Sequence, residues 1–177
     1  MRLLRSVAWV GLTALLGLSV PACRNPQREA MRELEKRGVP ASASSLLKAV
    51  QAEDQELSEL LLKAKVYAGQ RDPGGDTPLH IAIGRGNVSI AWALIENGAD
   101  ITAENPAQVT PLSLSVHRGE TAIADRLLNA GAPPDGLVPG GDRVLPWSIR
   151  NGRLTFVRRL MEGGADPPHG FLLAIDV

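Results

Sequence analysis

No disulfide can form within this sequence. Its 177 residues include one cysteine, Cys23, so a folded state in an oxidising compartment must be held by packing alone. Neither charge sign predominates. Nineteen Lys and Arg stand against nineteen Asp and Glu, and there is no basic field of the kind nucleic acid requires. The uncharged apolar run from Ser6 to Val20 is 15 residues long, short of the ~20 a helix needs to cross a bilayer. His80, His117 and His169 have no spacing with Cys, Asp or Glu that suits a metal. No Gly-x-Ser-x-Gly elbow and no Gly-x-x-x-x-Gly-Lys phosphate loop is present. Carboxylate neighbours such as Glu53-Asp54 fall in polar turns, where solvated surface is the default. The sequence offers no catalytic residue, no metal site and no cofactor site, and an enzyme is not expected.

What is present is repetition. The stretch from Gly75 to Asp100 is a complete helix–turn–helix unit. Thr77 is placed to cap the first helix, and Pro78 follows where its missing N–H costs nothing. Leu79, Ala82 and Ile83 share one face, and Gly86 ends the helix. Val88, Ala91, Leu94 and Ile95 form the stripe of a second helix, which Gly98 ends. A shift of 33 residues brings the pattern back. Thr77-Pro78-Leu79 matches Thr110-Pro111-Leu112; Gly86 matches Gly119 and Gly152; Leu94 matches Leu127 and Leu160; Gly98-Ala99 matches Gly131-Ala132 and Gly164-Ala165. A step backwards gives a weaker copy, Ser44 to Val50 followed by Leu57, Leu60, Leu61 and Leu62, with Glu53 and Lys65 where the glycines should stand. Ordering one such unit costs on the order of 50 kcal/mol, while burying one Leu or Ile returns about 1.5–3 kcal/mol. The units must therefore stack and share a core.

This pattern resembles the ankyrin repeat, whose signature is Thr-Pro-Leu-His-x-Ala. Thr77 to Ala82 carries the signature whole. The next copy has Ser113 and Ser115 in place of His and Ala, and the last has Arg143, Val144, Leu145 and Pro146. The resemblance covers roughly Ser44 to Asp166. It implies an all-α ankyrin-repeat solenoid of stacked helix–turn–helix units with capping fragments at both ends. A capping helix is expected over 27–38, repeats over 44–76 (degenerate), 77–109, 110–142 and 143–170, and a partial C-terminal capping helix over 171–177. The connecting loops carry Pro106, Pro133, Pro134 and Pro139, so turns are expected there in place of the family's hairpin ladders.

Residues 1–22 have the build of a secretory signal peptide, with Arg2 and Arg5 ahead of the apolar run. Val20-Pro21-Ala22-Cys23 looks like a bacterial lipobox, although Pro21 departs from its usual residue. The resemblance implies lipidation at Cys23, a tether over 23–26, and periplasmic placement. Arg24 in place of Asp suggests sorting to the outer membrane. Ordinary cleavage, leaving a soluble periplasmic or secreted protein, is the alternative. Loss of residues 1–22 would leave 17 basic and 19 acidic side chains.

In the ankyrin family the first helices and the loops line a concave binding face. In register, Ile81, Leu114 and Trp147 would point there. Gly84 aligns with His117 and Arg150, and Arg85 with Arg118 and Asn151. The expected site is an apolar strip edged by Arg85, Arg118 and Arg150, with His117 beside it, suited to an acidic or mixed protein partner. Trp147 could equally pack on the neighbouring unit. Trp92, on a second helix, is read as leaning on the next unit or as a second contact. The chain is expected to be a monomer that binds another protein. The resemblance adds two specialisations, an immunity protein against a secreted effector and an accessory to a periplasmic enzyme.

Overall fold

In a computed structural model, residues 25–166 are described. The expected signal peptide, Cys23, and the expected C-terminal capping helix lie outside them. Nine helices occur among the described residues. α1 (Pro26–Lys36) stands alone; α2 (Ala43–Gln51) pairs with α3 (Gln55–Lys63), α4 (Pro78–Gly84) with α5 (Val88–Glu96), α6 (Pro111–Arg118) with α7 (Thr121–Asn129), and α8 (Val144–Arg150) with α9 (Leu154–Glu162). Helices α2, α4, α6 and α8 pack in sequence as an inner row, and α1, α3, α5, α7 and α9 as an outer one.

Each layer repeats one side chain. Leu46, Leu79, Leu112 and Leu145 occupy the same inner position and are almost wholly buried; Leu61, Leu94, Leu127 and Leu160 do the same in the outer row. On α5 the buried stripe is Ile90, Ala91, Leu94 and Ile95. Val88, placed in that stripe on sequence grounds, is half-buried, because the first residue of the helix lies at the edge of the layer. At the last unit the layer opens. Ile149 is only partly buried, whereas Val50, Ile83 and Val116 in the same register are inside, and Leu154 is exposed.

Helix starts follow the sequence closely. Thr77 and Thr110 each accept the N–H of the residue three on, and His80 and Ser113 return the bond to complete a capping box. α8 has no side-chain cap at Arg143. In the first repeat Ser42, two residues before the expected start, caps α2.

The nine helices close alike, a residue just past the cap donating its N–H to a carbonyl five residues back: the second residue in eight of them, and in α6 the first, Glu120 onto Ser115. Asn87 to Ala82 (2.9 Å) and Ala99 to Leu94 (3.0 Å) are examples. This closure needs a left-handed residue in between. Gly86 and Gly98 supply it in the second repeat, with φ +74° and +81°. In the first repeat Glu53 and Lys65 take the same conformation, at φ +58° and +61°. The unit that lacks the glycines keeps their backbone.

The three loops between the pairs make turns. Among the described residues the only bridges are isolated ones, Val109 with Leu137 and Leu137 with Arg143. Adjacent units are also joined by exposed ion pairs, Glu96–Arg126 at 2.8 Å and Asp125–Arg159 at 3.2 Å. Such pairs contribute little singly; the shared apolar layer holds the stack.

Candidate functional site

The ridge formed by α4 and α6, together with the three loops, encloses an open groove of about 550 Å³, within the usual size range of ligand sites. Its floor is Ile81 and Leu114, both half-buried. Gly84 gives the groove its depth. A Cβ placed there meets nothing within 4 Å, whereas the residues in the same register further along, His117 and Arg150, carry side chains.

The walls are loop residues held by side-chain bonds. Asp72 and Asp76 come from the first loop, Asn105 and Ala107 from the second, Pro139 and Gly140 from the third. Asn105 ties two loops together. Its amide donates to Asp76 Oδ1 at 2.8 Å, while its Oδ1 accepts the N–H groups of Ala107 (3.0 Å) and Val109 (3.1 Å). Arg71 Nη1 donates to the carbonyls of Gly75 and Glu104, both at 2.7 Å. Arg71 and Glu104 are themselves one period apart. Rigid walls lower the ordering cost of binding.

His80 lies behind the floor. Its Nδ1 accepts from the Thr77 hydroxyl at 2.8 Å, and its Nε2 donates to the Val109 carbonyl at 3.0 Å. Burial holds its pKa below the ordinary 6.5, so the ring is neutral and both nitrogens are engaged. In the next unit Ser113 does this work with one hydroxyl, which accepts from Thr110 N–H at 3.0 Å and donates to the Leu137 carbonyl at 2.6 Å. Neither group is available as a general base. Among the described residues no cluster of His, Cys, Asp and Glu is disposed to hold a metal ion.

The seven residues expected at the site do not form one strip. Ile81, Leu114 and Arg85 line the groove. Arg85 pairs with Glu53 at 3.1 Å, and Arg150 pairs with Asp142 at 2.9 Å. Arg118 is exposed and has no ion pair among the described residues. Trp147 and His117 meet each other, ring centroids 5.0 Å apart. The Arg153 guanidinium also lies over the Trp147 ring, 5.0 Å from its centroid, and donates to the Val116 carbonyl at 3.2 Å. Trp147 is thus half-buried in a His–Trp–Arg cluster at the far end of the inner row. Trp92 is 43% exposed on the outer face of α5.

Asp72 and Asp76 were indistinguishable in the sequence from solvating loop acids. Two loop bonds hold them on the groove, Asn105 to Asp76 and the Asp76 N–H to Asp72. Arg153 was visible only as the residue before α9, where no periodic position calls for a cation.

Comparison with known proteins agrees with this architecture. The family model for ankyrin repeats, in three copies, matches residues 21–105. Protein phosphatase 1 regulatory subunit 27 from Homo sapiens is 42% identical over 66 residues, which are 37% of this chain and 43% of that protein. The match therefore spans less than half the relative's length. The helix pairs continue in phase beyond residue 105 to α9, and the described chain is one ankyrin-repeat solenoid.

Proposed function

We propose that this ankyrin-repeat chain is a protein-binding module without chemistry of its own. It takes a segment of another protein into the groove over Ile81 and Leu114. The observation that carries this reading is the groove itself. Gly84 keeps it empty, bonds from Asn105 and Arg71 keep its walls in place, and its one histidine has both nitrogens occupied. The curated relative, named as a regulatory subunit of a phosphatase, fits a chain that acts through a partner. The Arg118 guanidinium and the His117–Trp147 stack extend the contact surface beyond the groove.

The module is anchored, in this reading, through a lipid on Cys23 in a bacterial periplasm, on the outer membrane. The support is the run from Arg2 to Cys23. Cys23→Ser is expected to release the protein from the membrane fraction; unchanged retention would refute the anchor. Two partner classes follow from the resemblance, an effector toxin that is neutralised and a periplasmic enzyme that is assisted.

Gly84→Trp tests the site. The position is open, its φ is ordinary for a helix, and the indole would occupy the groove while the apolar layer beneath is untouched. A protein that the wild-type chain retains from periplasmic extract is expected to be lost on the Trp variant, with the melting midpoint of the chain unchanged. Equal retention by both would place binding elsewhere. The identity of the retained protein separates toxin from enzyme.

A further inference from the structure

The charge and bonding state of the groove select a kind of partner. Resting on the reading above, we propose that the groove takes an extended segment that presents a Lys or Arg beside an aliphatic side chain. The cation meets Asp72 and Asp76, and the aliphatic group lies on Ile81 and Leu114. This is the opposite charge sense from the acidic partner that a row of arginines suggests.

The inventory of groups facing the groove gives that sign. Arg85, the cation on its lining, is neutralised by Glu53 at 3.1 Å. Arg150 is neutralised by Asp142 and lies outside the lining, as does Arg118. Arg71 is outside the lining too, with Nη1 on two loop carbonyls. Asp72 and Asp76 are on it, both half-buried and without an ion pair among the described residues. Each has one oxygen engaged: Asp72 Oδ1 accepts the Asp76 N–H at 2.9 Å, and Asp76 Oδ1 accepts from Asn105. The second oxygen of each has no partner among the described residues. Asn105 and His80 each have a side-chain donor engaged, and Gln51, also on the lining, is uncharged. With Arg85 paired and His80 neutral, the charge left on the lining is that of the two carboxylates. Two carboxylates flanking an apolar floor in a concave site of reduced dielectric make a cation the complementary donor. The floor adds apolar surface that a free metal or ammonium ion would not use. A long basic side chain has both features, an apolar stem and a charged tip.

The experiment uses a phage-displayed random dodecapeptide library selected on the purified chain. Clones that bind wild type and not Gly84→Trp are groove ligands. Their sequences are expected to place Lys or Arg next to Leu, Ile, Val or Met. Synthetic peptides made from them are expected to bind Asp72→Asn/Asp76→Asn at least tenfold more weakly, since Asn keeps the Oδ1 acceptor and loses the charge. Their affinity for wild type is expected to fall as salt is raised from about 0.05 to 0.5 M, where the Debye length shrinks severalfold. If the double variant does not fold, the salt titration decides. Groove ligands rich in Asp or Glu, or ligands insensitive to both the double variant and salt, overturn the cation inference and leave the groove reading standing. A library that yields no Gly84→Trp-sensitive clone overturns the groove reading, and this inference with it.

Discussion

Lys65 holds the same left-handed backbone as Gly98, one period further on: φ is +61° at the lysine and +81° at the glycine. Both lie between the end of an outer helix and the N–H that closes it, Val66 onto Leu61 and Ala99 onto Leu94. The closure is imposed by stacking, and it forces a residue with a Cβ into a conformation that costs about 1–2 kcal/mol.

Lys65→Gly is therefore expected to stabilise the chain. Relief of the backbone strain outweighs the added freedom of glycine in the unfolded state, about 0.4–1 kcal/mol. A rise in the melting midpoint of about 2 °C is expected. A fall would mean that the lysine contributes packing its exposed position does not suggest.

The converse substitution is Gly98→Val. A Cβ at this position meets no atom within 4 Å, so any loss comes from the backbone alone. A β-branched residue at positive φ is a genuine outlier, and a loss of about 2 kcal/mol is expected. Gly98→Asn should cost less, because Asn tolerates this region. Equal melting midpoints for the two variants would contradict a conformational origin.

Ser58 is fully buried on α3, and its hydroxyl has no hydrogen-bond partner among the described residues. The same register holds Ala91, Ala124 and Val157, all buried. Leaving a hydroxyl unsatisfied costs about 1–3 kcal/mol, so Ser58→Ala is expected to raise stability by about 1 kcal/mol. Ser148→Ala is the control. That hydroxyl donates to the Val144 carbonyl at 2.7 Å, and its removal should bring no gain. Thermal melts showing the same change for both would refute the distinction.

Burial depresses the pKa of His80 from its ordinary 6.5. Between the folded and ordinary values the unfolded chain binds the proton and the folded chain does not. Stability from this residue is thus complete above pH 6.5 and declines as pH falls below it, by at most ~1.4 kcal/mol per pH unit. His80→Ser copies Ser113, which makes the equivalent bonds without titrating. Melts at pH 7.5 and 5.5 should show a larger loss for wild type than for His80→Ser. Parallel losses would assign the acid sensitivity elsewhere.

The period made the stack legible. Glycines, leucines and the Thr-Pro-Leu steps fix which residues are inside, because each unit's apolar face must meet the next at the same positions. The convex Trp92 and the concave Ile81 and Leu114 follow from that register too. Pairing between units does not. Arg85 and Arg118 occupy equivalent places, yet Arg85 reaches Glu53 and Arg118 reaches no acid among the described residues. The difference lies in what stands on the preceding unit at the left-handed turn, Glu53 for one and Gly86 for the other. Trp147 was legible as an inner-face residue but not as the centre of a cluster, since Arg153 comes from the next helix. The loop acids were least legible: the turn bond that holds Asp72 recurs one period on, Val109 N–H to Asn105, but Asp76 is placed by a side-chain bond from Asn105 across two loops, which no motif announces.

The claim that the inner groove is where the partner binds is tested most directly by methyl resonances in the presence of the retained protein. The methyls of Ile81 and Leu114 should shift or broaden on addition of that protein, while those of Leu154, exposed on α9, should not move. Shifts at Leu154 with Ile81 and Leu114 unchanged would contradict it.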